Sequence, residues 1–297
     1  MQRSPAINPE TLGLAYGFLG VLGFSLTLPA TRAAVADLDP VVVGLGRALV
    51  AAMLAALLLR ATGQKRPSTK QLKSLLIVAF GVILGFPLLS AWAMQQLPAA
   101  HSAVITGIVP LATAIAGTIR SGDRPSRGFW IASIAGSMTV IVYAIISGAG
   151  QPQTADLALI GASVAAAIGY AEGGLLAQVM GGWQVISWAL VLAAPIVVLP
   201  VIMATLQQGL VASPTAWLGF GYVSVISQFF AFFAWYQGLA IGGVARVSQI
   251  QLLQPFLTIL ASALLLGEAI APFTIGTATL VVATVALGKK AAIERKS

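Results

Sequence analysis

The chain has 297 residues, 58% of them hydrophobic and only 8% charged, which excludes an ordinary water-soluble domain, because no single core would hide that much apolar surface. The formal net charge of +8 is not a nucleic-acid signature, since the cations sit in short loops and at the C-terminus rather than on a basic domain. Without cysteine there is neither a disulfide nor a thiolate metal site.

Lipid is the remaining solvent, and a helix needs roughly 20 apolar residues to cross its hydrocarbon. The apolar stretches are too long for barrel strands and do not alternate. In chain order they predict an all-α integral membrane protein of ten helices, at roughly 10–31, 41–60, 73–96, 99–119, 128–147, 155–178, 183–205, 215–238, 243–266 and 270–288. The first stretch lacks a basic leader and a cleavage site, so it is expected to be a retained span rather than a signal peptide. Turn signals separate the spans: DLDP before the second, GQKRPS after it, SGDRPSR before the fifth and GAGQPQT after it.

Basic residues orient the bundle. Arg3 precedes the first span; Arg60, Lys65, Arg66, Lys70 and Lys73 follow the second; Arg120, Arg124 and Arg127 follow the fourth; Lys289, Lys290, Arg295 and Lys296 close the chain. The opposite loops hold only Arg32. By the positive-inside bias both termini are expected in the cytoplasm. Each half, 1–150 and 151–297, then contains an odd number of spans, so the second half enters the membrane upside down relative to the first.

The halves also repeat in sequence. AHSAVITGIVPLATAIAGTIRSGD, starting at Ala100, aligns with ARVSQIQLLQPFLTILASALLLGE, starting at Ala245. Pro110 meets Pro255, Thr113 meets Thr258, and Asp123 meets Glu268. An inverted repeat of this kind usually moves a solute between its halves. Pro110 and Pro255 fall near the middle of their helices, where each frees the carbonyl four residues earlier, on Thr106 and Gln251. Two matched breaks either line a midplane cavity or are kinks that only shape packing.

Polar residues cluster near these breaks. Gln249, Gln251 and Gln254 lie in the ninth span, Gln228 in the eighth, Thr106 and Thr113 in the fourth, and Phe86-Pro87 then Trp92 and Gln95 in the third. Amides and hydroxyls suit a zwitterion, but each glutamine can equally make an interhelical hydrogen bond. Gln254 and Gln228 rank first by depth. Arg47 and Glu172 are the embedded charges: Arg47 either binds a carboxylate bidentately or pairs structurally, and Glu172 either carries a proton, holds a substrate ammonium, or pairs structurally. His101, the only histidine, fits an interfacial position better than a proton relay. Glycines one turn apart (Gly13 and Gly17, Gly81 and Gly85, Gly128 and Gly136 around Ala132) favour close helix contact, and Gly169 is a candidate hinge. No catalytic constellation, metal-ligand set or Walker loop appears, so no enzyme activity, metal or cofactor is expected.

With these segments in view, the chain resembles the drug/metabolite transporter (DMT) superfamily, EamA type. The resemblance is carried by ARVSQIQLLQPFLTILASALLLGE, the preceding FFAWYQGLAIGG, AWAMQQLPAAHSAV, and the arginine of GLGRALVAA, which is Arg47. Within the superfamily it looks most like YddG-type aromatic amino-acid exporters of bacterial inner membranes, although its first span reads GFSLTLPATR where many members carry a tryptophan-glycine pair. The resemblance implies two inverted five-helix halves, with spans 1, 3, 4, 6, 8 and 9 around a central cavity and spans 5 and 10 at the periphery. It also implies export of an amino acid, aromatic or otherwise large and neutral, by alternating access, with another metabolite or a drug as the alternative substrate. Because both halves share one chain, a functional monomer in the lipid bilayer is expected.

Overall fold

A computed structural model describes residues 8–97, 102, 105–146, 154–266, 272–291 and 293–294. His101, Gly267, Glu268 and the connection between the expected halves lie outside these residues.

The described chain is almost wholly helical. Helices α1 (Pro9–Phe24) and α2 (Thr27–Val35) form one interrupted rod. Helix α3 (Arg47–Ala61) follows a π-helical turn at Val42–Gly46. Helices α4 (Thr69–Val78) and α5 (Phe86–Gln96) flank a second π segment at Ala79–Gly85. Then come α6 (Val109–Ser121), α7 (Arg127–Ile146), α8 (Thr154–Met180) and α9 (Gly182–Gln208). Helices α10 (Pro214–Gly221) and α11 (Ala231–Gly242) flank a third π segment at Tyr222–Phe230. The short α12 (Val244–Ser248) passes through a 3₁₀ turn at Gln249–Leu253 into α13 (Gln254–Leu266), and α14 (Pro272–Lys290) ends the bundle.

Six continuous runs among the described residues are long and apolar enough to cross a bilayer: Pro9–Val35, Val42–Ala61, Thr69–Gln96, Thr154–Met180, Gly182–Gln208 and Pro214–Gly242. Arg127–Tyr143 and Pro272–Gly288 are shorter apolar helices. Large apolar side chains such as Leu206, Ile119 and Leu218 are about three-quarters or more exposed on the outer surface. In water that surface would drive association, whereas in lipid it matches its solvent while the helices satisfy their own backbone groups.

Local sequence explains the helix ends. Ser68 caps α4 through a reciprocal capping box with Gln71. Gly122 ends α6 in the left-handed conformation, φ 76°, which costs a residue without a Cβ nothing. Arg32 donates to the carbonyls of Met94 at 3.1 Å and Leu97 at 2.5 Å, satisfying acceptors that the end of α5 leaves open.

Small residues set the closest helix contact, between α1 and α11. A Cβ on Gly13 would stand 2.4 Å from the backbone nitrogen of Gly242, and one on Gly238 would stand 2.6 Å from that of Gly17. Gly20 faces the backbone of Trp235. Only glycines allow this approach, and in lipid such van der Waals contact replaces the hydrophobic effect as the packing force. Gly169 has the same role. It sits in the unbroken helix α8, and Gly81 and Val82 press against it, so in this conformation it packs helices.

Candidate functional site

Several interruptions in the described helices border one central cavity of about 370 Å³. The two-residue gap between α1 and α2 supplies Ser25. Pro29 lacks the N–H that would bond the Ser25 carbonyl in a continuous helix, and the hydroxyl of Thr258 donates to that carbonyl instead. Gln254 Nε2 donates to the neighbouring Phe24 carbonyl at 3.2 Å. The α1–α2 gap is thus held by polar side chains from the helix around Pro255.

The two matched prolines occupy first turns of new helices rather than helix middles. Pro110 lies in the first turn of α6 and Pro255 in that of α13, positions where a missing N–H costs little. Ser248 Oγ and Gln249 Nε2 both donate to the Pro110 carbonyl, at 3.2 and 3.3 Å, and tie one break to the other. The Gln251 carbonyl, expected to be open, accepts the Gln254 N–H through the tightened 3₁₀ turn.

The three π segments do related work. A π turn adds a residue to a helical turn and rotates every later residue of the helix, and such bulges gather at functional sites. Arg47 directly follows the first, Val82 lies in the second with Phe86 just after it, and Ser227 and Gln228 lie in the third; all five line the cavity. Gln228 Nε2 donates to the Val82 carbonyl at 3.2 Å, joining two of these segments. Pro87 sits in the first turn of α5 and is buried behind the lining.

Aromatic rings form one wall. Phe24, Tyr170 and Phe232 line the cavity and pack on one another, with a centroid separation of 5.0 Å for Phe24–Phe232. Phe24 and Tyr170 also pack on Trp235, the latter at 5.4 Å. Trp235 and Tyr236 are fully buried beneath them. Tyr170 is in electrostatic contact with Arg47 and lines the cavity together with Gln251. Arg47 is only 2% exposed, and its Nε has no hydrogen-bond partner among the described residues; the same is true of Gln251 Oε1.

Of the side chains singled out by sequence, Gln254, Gln228, Gln251, Thr106, Phe86 and Arg47 line this cavity together with Pro255. Trp92 and Glu172 do not. At 100° per residue Trp92 is about 120° around α5 from the cavity-lining Phe86. It is 42% exposed on the outer surface. Glu172 is about 160° around α8 from Tyr170. Its carboxylate pairs with Arg120 instead. Val140 and Tyr143 of α7 and Arg47 at the head of α3 also line the cavity, so spans 2 and 5 reach the centre, unlike the arrangement implied by the resemblance. Sequence reasoning missed Tyr170, Phe232, Phe24 and Tyr143; their only sequence signal is an aromatic ring within a segment already marked by a proline, glycine or glutamine. No group of three or more potential metal-ligating His, Cys, Asp or Glu side chains occurs among the described residues.

A crystal structure of another protein has the same fold, with a TM-score of 0.77 over 94% of this chain and 98% of that one at 16% identity. The uncharacterized transporter YdeK of Bacillus subtilis (strain 168) is 45% identical over 262 residues, 88% of this chain and 91% of that protein. The EamA-like transporter family matches twice, at residues 11–145 and 153–288. Two family matches that together cover most of the chain, and a transporter 45% identical over 88% of it, place this protein in the EamA-like transporter family of the drug/metabolite transporter superfamily.

Proposed function

We propose that the protein exports amino acids, aromatic and other large neutral ones, across a bacterial inner membrane by alternating access. The single observation that carries this reading is the cavity: about 370 Å³, walled by Phe24, Phe86, Tyr170 and Phe232, with the amides of Gln228, Gln251 and Gln254 among its polar groups. That volume and mixture suit a small molecule with an apolar body and a polar end. Two inverted five-helix repeats, 1–150 and 151–297, rock about this site as one ten-span chain, and the protein works as a monomer.

Both termini are cytoplasmic in this reading. The ion pairs Glu10–Arg246 and Arg120–Glu172 then lie on the cytoplasmic side of the aromatic wall, while Leu28, Pro29, Tyr143 and Thr258 line the cavity on its outer side. This arrangement supports a conformation closed toward the cytoplasm and turned outward.

The test is flux in liposomes containing the purified protein, with labelled phenylalanine, threonine and a sugar. Saturable phenylalanine flux above empty liposomes, stimulated by substrate on the opposite side, is the expected result. Flux of the sugar or of a drug without any amino-acid flux would move the assignment to another substrate class on the same fold.

A further inference from the structure

We infer that Arg47 is a carboxylate subsite and that the cavity selects organic monoanions: a carboxylate on an aromatic or apolar body, with no requirement for an ammonium group. The inference rests on the proposal that the cavity is the transport site.

Arg47 lines the cavity and is almost wholly buried. Its guanidinium carries a permanent charge in a forked, planar donor geometry that matches a carboxylate. No protein acceptor takes a hydrogen bond from it among the described residues, and its Nε is buried without a partner. A buried charge without a counter-ion is strongly unfavourable in a low-dielectric interior, so a resident arginine of this kind is ordinarily paired.

The protein provides no such pair among the described residues. No aspartate or glutamate lines the cavity. The acidic side chains that could have served are engaged elsewhere: Glu172 with Arg120, Glu10 with Arg246, and Asp37 with Ser213. Tyr170, in electrostatic contact with Arg47, is neutral, and so are the other polar residues of the lining, which are serines, threonines, glutamines and Tyr143. The cavity lining therefore carries one uncompensated positive charge. A monoanion brings the occupied site to neutrality, a zwitterion leaves it at one positive charge, and an amine raises it to two. Desolvation favours these in that order. The aromatic wall receives the body of the ligand while Arg47 holds its head.

Three probes of one shape separate the charges: 3-phenylpropionate, phenylalanine and phenethylamine, titrated calorimetrically against the purified full-length protein at neutral pH. The expected order of affinity is 3-phenylpropionate at or above phenylalanine, with phenethylamine weaker by about ten-fold or more. Arg47→Gln is expected to weaken the two carboxylates by about ten-fold or more and to leave the amine unchanged or improved, with Arg47→Lys intermediate. Equal binding of amine and carboxylate by the native protein overturns the inference, and this comparison decides the matter even if the variants do not fold. Binding of phenylalanine without 3-phenylpropionate overturns it while leaving amino-acid export standing. Binding of 3-phenylpropionate with no phenylalanine binding or flux upholds it and removes amino-acid export. Failure of all three probes to bind overturns both.

Discussion

Arg120 grips Glu172 through both arms of its guanidinium, Nε to Oε2 at 2.6 Å and Nη2 to Oε1 at 3.1 Å, and so ties α6 to α8. The pair is lopsided: the Glu172 side chain is 6% exposed and that of Arg120 is 57% exposed. Removing the arginine strands a buried carboxylate, whereas removing the carboxylate only releases a cation to its surroundings. Arg120→Ala is therefore expected to destabilise the protein by about 1–3 kcal/mol and Glu172→Gln by less than about 1 kcal/mol. Thermal unfolding of the two variants in detergent checks the order, and equal losses would show that the pair does not act through the buried carboxylate.

The α1–α2 gap depends on side chains far away in sequence. Thr258→Val keeps the shape of the side chain but removes the hydroxyl that reaches the Ser25 carbonyl. A loss of about 1–2 kcal/mol is expected, together with altered flux, because an orphaned carbonyl must find water or reshape the gap. Thr279→Val is the control: its hydroxyl bonds within its own helix at 2.9 Å on the exposed face, and little change is expected.

Glycine substitutions distinguish contact from open surface. Gly238→Ala places a Cβ 2.6 Å from the Gly17 backbone nitrogen, so α1 and α11 must separate. A loss of about 1–3 kcal/mol is expected from such overpacking. Gly276→Ala meets nothing within 4 Å and is expected to be neutral or slightly stabilising, as alanine favours helix over glycine. Melting temperatures of the two variants, read beside the native protein, test this.

Asp37, in the turn after α2, accepts hydrogen bonds from the backbone N–H of Ser213 at 2.9 Å and from its hydroxyl at 2.5 Å. These bonds favour the ionised form and hold its carboxyl below the usual aspartate range. A carboxylate lowered in the folded state stabilises above its unfolded pKa and loses that contribution as pH falls through the folded value. The melting-temperature gap between native protein and Asp37→Ala is therefore expected to be constant above about pH 5 and to shrink below about pH 4. A gap independent of pH through that range would remove the carboxylate from the explanation.

Much of the site was legible because polar groups and prolines are conspicuous in apolar helices. Gln228, Gln251, Gln254 and Arg47 stand out in segments where each polar group needs a partner, and all four reach the cavity. Trp92 and Glu172 stand out for the same reason and reach other places. Their helices are apolar on nearly every side, so periodicity does not mark the inward face. The packing of Gly169 against Gly81 and Val82 is equally invisible there, because a glycine that relaxes a helix and one that admits a neighbour look identical in sequence.

The sequence by itself determined the solvent, the family, the duplicated pattern around Pro110 and Pro255, and the scarcity of charge that makes Arg47 notable. Only the tertiary structure decided which side chains share the cavity. The three π segments and the 3₁₀ turn change the rotation of the residues after them, and residues some 200 positions apart, such as Ser25 and Thr258, or Thr27 and Ser227 at 2.8 Å, supply one another's hydrogen bonds. Helical phase is a local property only while the helix is regular. Where it is interrupted, the neighbour that satisfies the freed backbone groups sets the direction, and that neighbour is known only once the chain has packed.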